Sequence, residues 1–198
     1  IDSLVQANTT YGQSTVTWSG SGATATIGHG LSSAPEMIIV KRRDAATHWP
    51  VWHTSISSGT DNFLQLNLSA AKVTTESTFF TSTDPTSSVF SVGSGGGQTN
   101  AGNMLAYCFH SVTGYSSFGS YTGNGSTTGP TITTGFAPAF VMIKVTDRTD
   151  GGNGGWFIYD NTRSPHISNN NVLAMNTTAA ELVDNSNVAL DFLSNGFQ

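Results

Sequence analysis

The sequence is poor in charge. Only 10% of its 198 residues are charged, with 7 Lys and Arg against 12 Asp and Glu and a formal net charge of −5. A typical globular chain has about a quarter of its residues charged. Binding to nucleic acid needs a concentrated basic surface, so the composition argues against a nucleic-acid partner. The one basic cluster, at residues 41–43, is interpreted as a solvated strand end.

Cysteine and metal-ligand patterns are scarce as well. Cys108 is the only cysteine, so no disulfide can form within the chain. It lies in an apolar stretch and is predicted to be a buried, inert thiol. The five histidines form no pair at helical metal-ligand spacing, so we predict neither a metal site nor a cofactor. No apolar run is long enough to span a bilayer, and no membrane insertion is expected.

The residue patterns of common hydrolases are missing. Glycoside hydrolysis needs two facing carboxylates, and the acidic residues here are scattered singly. The G-x-S-x-G nucleophile motif does not occur. Asp44 and Asp147 each follow a strand-like segment, where an Asp side chain usually bonds nearby backbone N–H groups. The sequence therefore predicts a protein that is not an enzyme.

Hydroxyl-bearing residues and glycine take the place of charge. There are about fifty Ser and Thr residues and 22 Gly, a composition that disfavours helices and favours strands and turns. Short β-branched or aromatic segments recur between Gly, Ser, Asn and Pro. The predicted strands are residues 14–18, 23–27, 36–42, 49–53, 62–68, 77–81, 88–93 and 103–112. The predicted fold class is all-β, with antiparallel β-sandwich units of jelly-roll or lectin-like type.

One phrase of the sequence occurs twice. SAPEMIIVKRRD at residues 33–44 aligns with FAPAFVMIKVTD at residues 136–147. Downstream, HWPVWH at 48–53 aligns with GWFIYD at 155–160, and FLQLNLSAA at 63–71 aligns with VLAMNTTAA at 172–180. Units near one hundred residues are long enough to bury a core each. We predict a tandem duplication, with a first β-sandwich repeat at residues 1–112 and a second at 113–198.

The two copies are predicted to differ at their C-terminal ends. The second has no segment that matches residues 103–109, so it is expected to lack its last strand. Three explanations are open: processing, an incompletely represented C-terminus, or a strand supplied by a neighbouring subunit. The runs MIIV and FVMI are apolar at every position, which predicts that both lie mid-sheet and are covered on both faces.

Paired aromatics are the best candidates for ligand binding. Trp49 and Trp52 align with Trp156 and Tyr159, one aromatic on each face of a strand. One of each pair is expected in the core, and the other would be a platform on which a sugar ring stacks. The candidate ligand-binding residues are Trp52, His53, Tyr159 and Asp160. Burial of the aromatics in the core is the competing interpretation.

Several strings resemble an uncharacterised domain family. They are AYCFHSVTGYSSFGSYTGNGSTTGPTITTGFAPAFVMIKVTD at 106–147, WFIYDNTRSP at 156–165, LAMNTTAAE at 173–181 and LDFLSNGF at 190–197. The family that they resemble recurs in bacteriophage genomes, notably those of phages infecting marine and cyanobacterial hosts, often in proteins labelled tail fibre or virion structural. The resemblance implies a location, the virion exterior or an extracellular setting, more than a chemistry.

Two functions are expected from these features. The first is a non-enzymatic structural component of a phage virion, a tail fibre or another surface-exposed protein. It would pack as a homo-oligomer or with other virion proteins and display loops toward a cell-surface polysaccharide. The alternative is a carbohydrate-binding, lectin-like module of a secreted bacterial protein.

Overall fold

A computed structural model describes residues 1–74, 78–148, 154–163, 171–183 and 189–198. In these ranges strands dominate, and the only α-helix is the four-residue α1 (Thr54–Ser57). The chain is an all-β protein, as its composition predicts. None of the helical segments in these ranges has the length and apolar character needed to cross a bilayer.

The strands are short and are numbered in chain order. They are β1 (Ser3–Asn8), β2 (Gln13–Ser21), β3 (Ala25–Gly28), β4 (Met37–Arg42), β5 (Pro50–His53), β6 (Leu64–Gln65), β7 (Val89–Val92), β8 (Ala101–Phe109), β9 (Ile132–Thr133), β10 (Phe140–Lys144), β11 (Trp156–Asp160), β12 (Leu173–Ala174), β13 (Phe192–Leu193) and β14 (Gly196–Phe197).

The largest sheet has six antiparallel strands in the order β1-β2-β8-β4-β5-β6. Its centre is the β2–β8 ladder, which runs from Gln13↔Phe109 to Ser21↔Ala101. Alternation along β2 turns Val16 and Trp18 into the core. β4 lies between β8 and β5, so the run MIIV is mid-sheet, as predicted.

The main core lies between this sheet and the β3–β7 pair. Its buried members are Val16, Trp18, Ile27, Leu31, Ile38, Val40, Trp52, Phe63, Phe79, Phe80, Phe90, Val92, Met104, Ala106 and Cys108. The Asp61 carboxylate accepts the Phe79 N–H at 2.9 Å and the Phe80 N–H at 2.5 Å. The Asp61 side chain therefore binds the N–H groups of this segment, while the Phe79 and Thr78 carbonyls accept from the N–H groups of Gly93 and Gly95. The strand predicted at 77–81 is wrong in its described part, which forms a turn.

The second half of the chain forms two small antiparallel sheets, β10-β11-β12 and β13-β14-β9. Between them lie the buried side chains of Val141, Tyr159, Val172 and Leu190. Trp156 belongs to a different cluster. It packs with Met37, Val51 and Leu64 on the outer face of the six-stranded sheet, so the two halves are in contact.

The sheet β10-β11-β12 has the same register as β4-β5-β6. Met37↔His53 in the first sheet corresponds to Phe140↔Asp160 in the second, at the positions that the repeated phrases align. Two more correspondences are Pro50↔Gln65 with Phe157↔Ala174, and Phe63↔Val73 with Val172↔Leu182. A duplication would produce this geometry. The duplication itself, and its boundary after residue 112, stay predictions.

Three strands differ from expectation. The run FVMI predicts a mid-sheet strand, but in the described part of the chain β10 is the edge of its sheet, with Phe140 56% exposed. β1 has no counterpart among the predicted strands, and it is also a sheet edge. The strand predicted at 62–68 is present only as the two-residue β6.

Candidate functional site

The two aromatic candidates for sugar stacking are buried. Trp52 lies in the main core with 3% exposure, and Tyr159 lies in the second core with 4%. Burial raises the pKa of the Tyr159 phenol to about 12. Stacking requires an open ring face, and a second layer of structure covers each of these rings. The geometry thus favours the competing interpretation, a core role.

His53 and Asp160 hold the chain where their strands end. His53 Nδ1 accepts the Ser55 N–H at 3.2 Å and caps α1. At the corresponding position, Asp160 Oδ1 accepts the N–H groups of Thr162 at 3.1 Å and Arg163 at 2.8 Å. The Arg163 N–H bond is the largest of the effects that hold the pKa of Asp160 below its usual value. Both polar candidates are thus engaged in turn formation.

Trp49 is the aromatic of the first pair that reaches the surface. Its ring is half-buried, and the Lys41 amine lies 5.5 Å from the ring centroid, within cation–π range. The Trp49 backbone N–H donates to Asn67 Oδ1 at 3.1 Å. The Lys41 amine also donates to the Thr47 carbonyl at 2.6 Å, which ties this loop back to β4. The counterpart Trp156 is buried, so the two sheets differ here.

A cleft of about 380 Å³ opens beside this loop. It is lined by His48, Phe63, Gln65, Val73, Phe79, Gly95, Gly96 and Gln98. These residues come from the loop before β5, from β6 and its flanks, from the turn at Phe79, and from the glycine-rich segment before β8. Four separate parts of the first half therefore meet at one surface opening.

The floor of the cleft is apolar and its wall carries a fixed imidazole. The rings of Phe63 and Phe79 stack with centroids 4.0 Å apart, and both line the cleft although they are almost fully buried. The Asn67 amide nitrogen lies 2.9 Å from His48 Nδ1. Since Asn67 Oδ1 accepts from Trp49, the amide nitrogen must be the donor, and the neutral His48 carries its proton on Nε2.

Gln98 lines the cleft and carries an unpaired acceptor. Its Oε1 is buried and has no hydrogen-bond partner among the described residues. Buried polar atoms are nearly always paired, so an unpaired one marks a position where a ligand or water donates. Gly95 and Gly96 have φ values of 46° and 57°, which favour glycine. The wall of the cleft beside Gln98 thus has no Cβ at two successive positions.

Among the residues that the structure describes, no carboxylate lines the cleft. Asp61 is committed to the Phe79 turn, and Asp44 forms an ion pair with Arg42 at 2.7 Å. The Arg163 guanidinium pairs with both Asp160 and Glu181. A general acid in glycoside hydrolysis needs a raised pKa, whereas that of Asp160 is lowered. Among the described residues no three His, Cys, Asp or Glu side chains converge as a metal site.

The fold and the cleft together define an all-β domain of antiparallel sheets with a surface opening whose described lining carries amide, imidazole and aromatic side chains. The chain belongs to the family described as Domain of unknown function (DUF7483), whose model matches residues 1–198. Comparisons with curated proteins and with solved structures gave no match.

The cleft residues were not predicted as a site. His48, Gln65 and Gln98 come from separate segments, and no spacing motif connects them. The glycine tract at 93–103 is a local pattern that indicates a flexible loop, but it does not show what that loop contacts. The cleft residues come together because β8 lies between β2 and β4, which places the glycine-rich segment before β8 beside β6.

Proposed function

We propose that the chain is a non-enzymatic structural component of a phage virion, a tail fibre or another surface-exposed protein, whose cleft binds a host-surface glycan. The observation that carries the glycan part is the lining of the cleft. Side-chain amides, an imidazole and two glycines lie beside the apolar rings of Phe63 and Phe79. Sugars combine hydroxyl groups with apolar C–H faces, which is the complement of such a lining.

The size of the cleft supports the same proposal. Its volume of about 380 Å³ lies at the low end of the range for small-ligand sites, about 300–1,000 Å³. It is open at the surface, so a terminal or side-branch sugar of a long polysaccharide has access. The unpaired Gln98 Oε1 would accept a sugar hydroxyl, and the Nε2–H of His48 would donate to another.

The virion part of the proposal is supported by the resemblance to phage proteins and by composition. With 10% charged residues, the surface offers few ions that must lose water when copies pack together. The expected partners are further copies of this chain or other virion proteins. The expected location is the virion exterior or an extracellular setting.

The cleft equally favours the second candidate, a carbohydrate-binding module of a secreted bacterial protein. Solution mass separates the two, because a fibre component works as an assembly. Light scattering of the whole chain at several concentrations is expected to give a trimer or larger particle for the virion component. A monomer at every concentration would favour the free-standing module.

Glycan binding is tested by screening an array with the whole chain and titrating the best hit by calorimetry. His48→Ala and Gln98→Ala are each expected to weaken binding about tenfold, the value of one well-made hydrogen bond. Arg43→Ala is the matched control, because Arg43 lines a separate cleft with Asp2 and Asn103. If both cleft variants keep their fold by circular dichroism and bind as the parent does, the cleft is not the glycan site.

A further inference from the structure

β10 presents an open edge. In the described part of the chain β11 is its only strand neighbour, and Phe140 is 56% exposed. Natural edge strands usually carry charge, proline or a bulge that blocks further pairing. The one charged residue of β10, Lys144, turns its amine to the backbone carbonyls of Ser69 at 3.2 Å and Val145 at 2.8 Å. In the part of the chain that the structure describes, the edge therefore lacks the usual protection.

The backbone groups at this edge follow from the β10–β11 ladder. The Asn161 N–H donates to the Ala139 carbonyl at 3.1 Å, and hydrogen-bonded positions alternate along an antiparallel pair. Val141 and Ile143 accordingly bond to β11. Phe140, Met142 and Lys144 direct their N–H and C=O groups away from β11, toward the open side.

In the six-stranded sheet the same side of the equivalent strand is occupied. β8 pairs with β4 from Met37↔Phe109 to Arg42↔Met104. This pairing brings Met104, Ala106 and Cys108, all fully buried, into the main core. β8 thus shows which kind of strand pairs with β4, whose sequence aligns with that of β10.

The effect of that strand is visible at equivalent positions. Ile38 and Val40 of β4 are 0% exposed. Val141 of β10 keeps 8% exposure, and Ile143 is only half-buried. The second core is therefore incompletely covered on the side where β8 covers the first.

We propose that β10 is a docking edge for an antiparallel strand with the chemistry of β8. That strand has small or unbranched apolar side chains at alternate positions, which face the core of Val141 and Tyr159. In the register of β8, the residue at the Phe109 position pairs with Phe140, and the residue at the Leu105 position pairs with Lys144. Backbone hydrogen bonds supply affinity, and the alternation fixes the register. This inference does not depend on glycan binding.

The test uses the whole chain and a labelled peptide of residues 101–111 with Cys108→Ala and two added lysines for solubility. Fluorescence anisotropy is expected to show saturable binding of one peptide per chain. A peptide of the same composition with its alternation scrambled is expected to bind at least about tenfold more weakly, because its apolar residues no longer share a face. Hydrogen exchange is expected to slow at Phe140, Met142 and Lys144 when the peptide is added.

Two variants at one position separate strand pairing from nonspecific apolar contact. Phe140→Pro removes an outward N–H at the first residue of the strand, where proline is tolerated, and is expected to weaken binding about tenfold. Phe140→Ala removes the exposed ring but keeps that N–H, and is expected to bind nearly as the parent does.

Three results would overturn the proposal. They are absence of binding, equal binding of the scrambled peptide, or binding without slower exchange at β10. If exchange at β10 is already slow in the chain alone, and becomes faster on dilution, a second copy occupies the edge instead. None of these results bears on the glycan cleft, which lies in the other half of the chain.

Discussion

β4 and β10 have closely similar sequences in different surroundings. β4 is flanked by β8 and β5, whereas in the described residues β10 has β11 alone. Because β8 pairs with β4, the inward side chains of β4 are fully buried, and those of β10 are not. The burial of these inward side chains is therefore not determined by the local sequence. It is set by a strand that comes from far along the chain.

Two local hydrogen bonds, in contrast, recur in both sheets. The backbone N–H of Trp49 donates to Asn67 Oδ1 at 3.1 Å, and that of Trp156 donates to Asn176 Oδ1 at 2.9 Å. The Lys41 and Lys144 amines each reach a carbonyl of the loop that follows their strand. Loop and turn chemistry therefore repeats even where the surroundings differ.

Truncating the equivalent core aromatics is expected to have the largest effect on stability, and a different effect in each half. We expect Trp52→Ala to lower the free energy of unfolding of the whole chain by about 4 kcal/mol, because it leaves a cavity in the large core. Tyr159→Ala is expected to cost about 2 kcal/mol and to act mainly on β9 to β14, where fewer side chains surround the ring. Urea unfolding followed by circular dichroism gives the totals, and hydrogen exchange locates them. If Tyr159→Ala loosened β2 and β8 as much as Trp52→Ala does, the two halves would form one cooperative unit.

Removing the amide acceptors Asn67 and Asn176, one in each sheet, is expected to have a smaller effect on stability. Asn176 is half-buried and Asn67 is exposed, so water replaces the lost acceptor more easily at Asn67. We expect a loss of about 1 kcal/mol for Asn176→Ala and about 0.5 kcal/mol for Asn67→Ala. Asn103→Ala, an exposed change on β8, serves as the control and should stay near zero. Equal losses at Asn67 and Asn176 would mean that exposure does not set the strength of this bond.

Lowering the pH is expected to change the stability of the two halves differently, and this is the smallest of the expected effects. Burial lowers the pKa of His29 and of His53 below 6.5, so the unfolded chain takes up protons first as the pH falls. Stability contributed by these neutral rings is present above pH 6.5 and is lost as the pH falls below it. In the aligned phrases of the two halves, Asp160 stands at the position of His53. The lowered pKa of Asp160 keeps its contribution until the pH falls below 3.8.

We therefore expect hydrogen exchange in β3 and β7 to accelerate between pH 7 and pH 5, after correction for intrinsic rates, more than exchange in β11. His29→Gln should reduce that acceleration, since glutamine keeps a polar group without titrating. Equal acceleration in β11, or no change with His29→Gln, would contradict this origin.

Much of the fold could be predicted because short β-branched segments between glycines specify strands locally. The all-β class follows from that, as do β2, β4, β7 and β8. The turn at Phe79 could not be predicted, because it depends on Asp61, a side chain from another segment. The edge position of β10 was missed for the same reason: FVMI is apolar on both faces, but apolarity does not supply a neighbour.

The candidate site was less predictable than the fold. Alternation showed that Trp49 and Trp52 face opposite sides of β5, but which side is covered depends on where the β3–β7 pair packs. His53 was correctly placed at a strand end, and its capping bond to Ser55 is local. No sequence pattern marks Gln98 as a site residue. What marks it in the structure is that its Oε1 has no hydrogen-bond partner among the described residues, which a sequence does not show.

The position of β8 has a consequence for synthesis of the chain. β8 lies between β2 and β4, although it is the last of the six strands to leave the ribosome. Until Phe109 emerges, β1–β2 and β4–β5–β6 are separate pieces with open edges, and the ladder between Gln13 and Phe109 must then close over a long loop. Such pairing is slow and leaves apolar strands exposed to other chains meanwhile. Completion of the first half during translation is therefore a single late event, timed by the arrival of one strand.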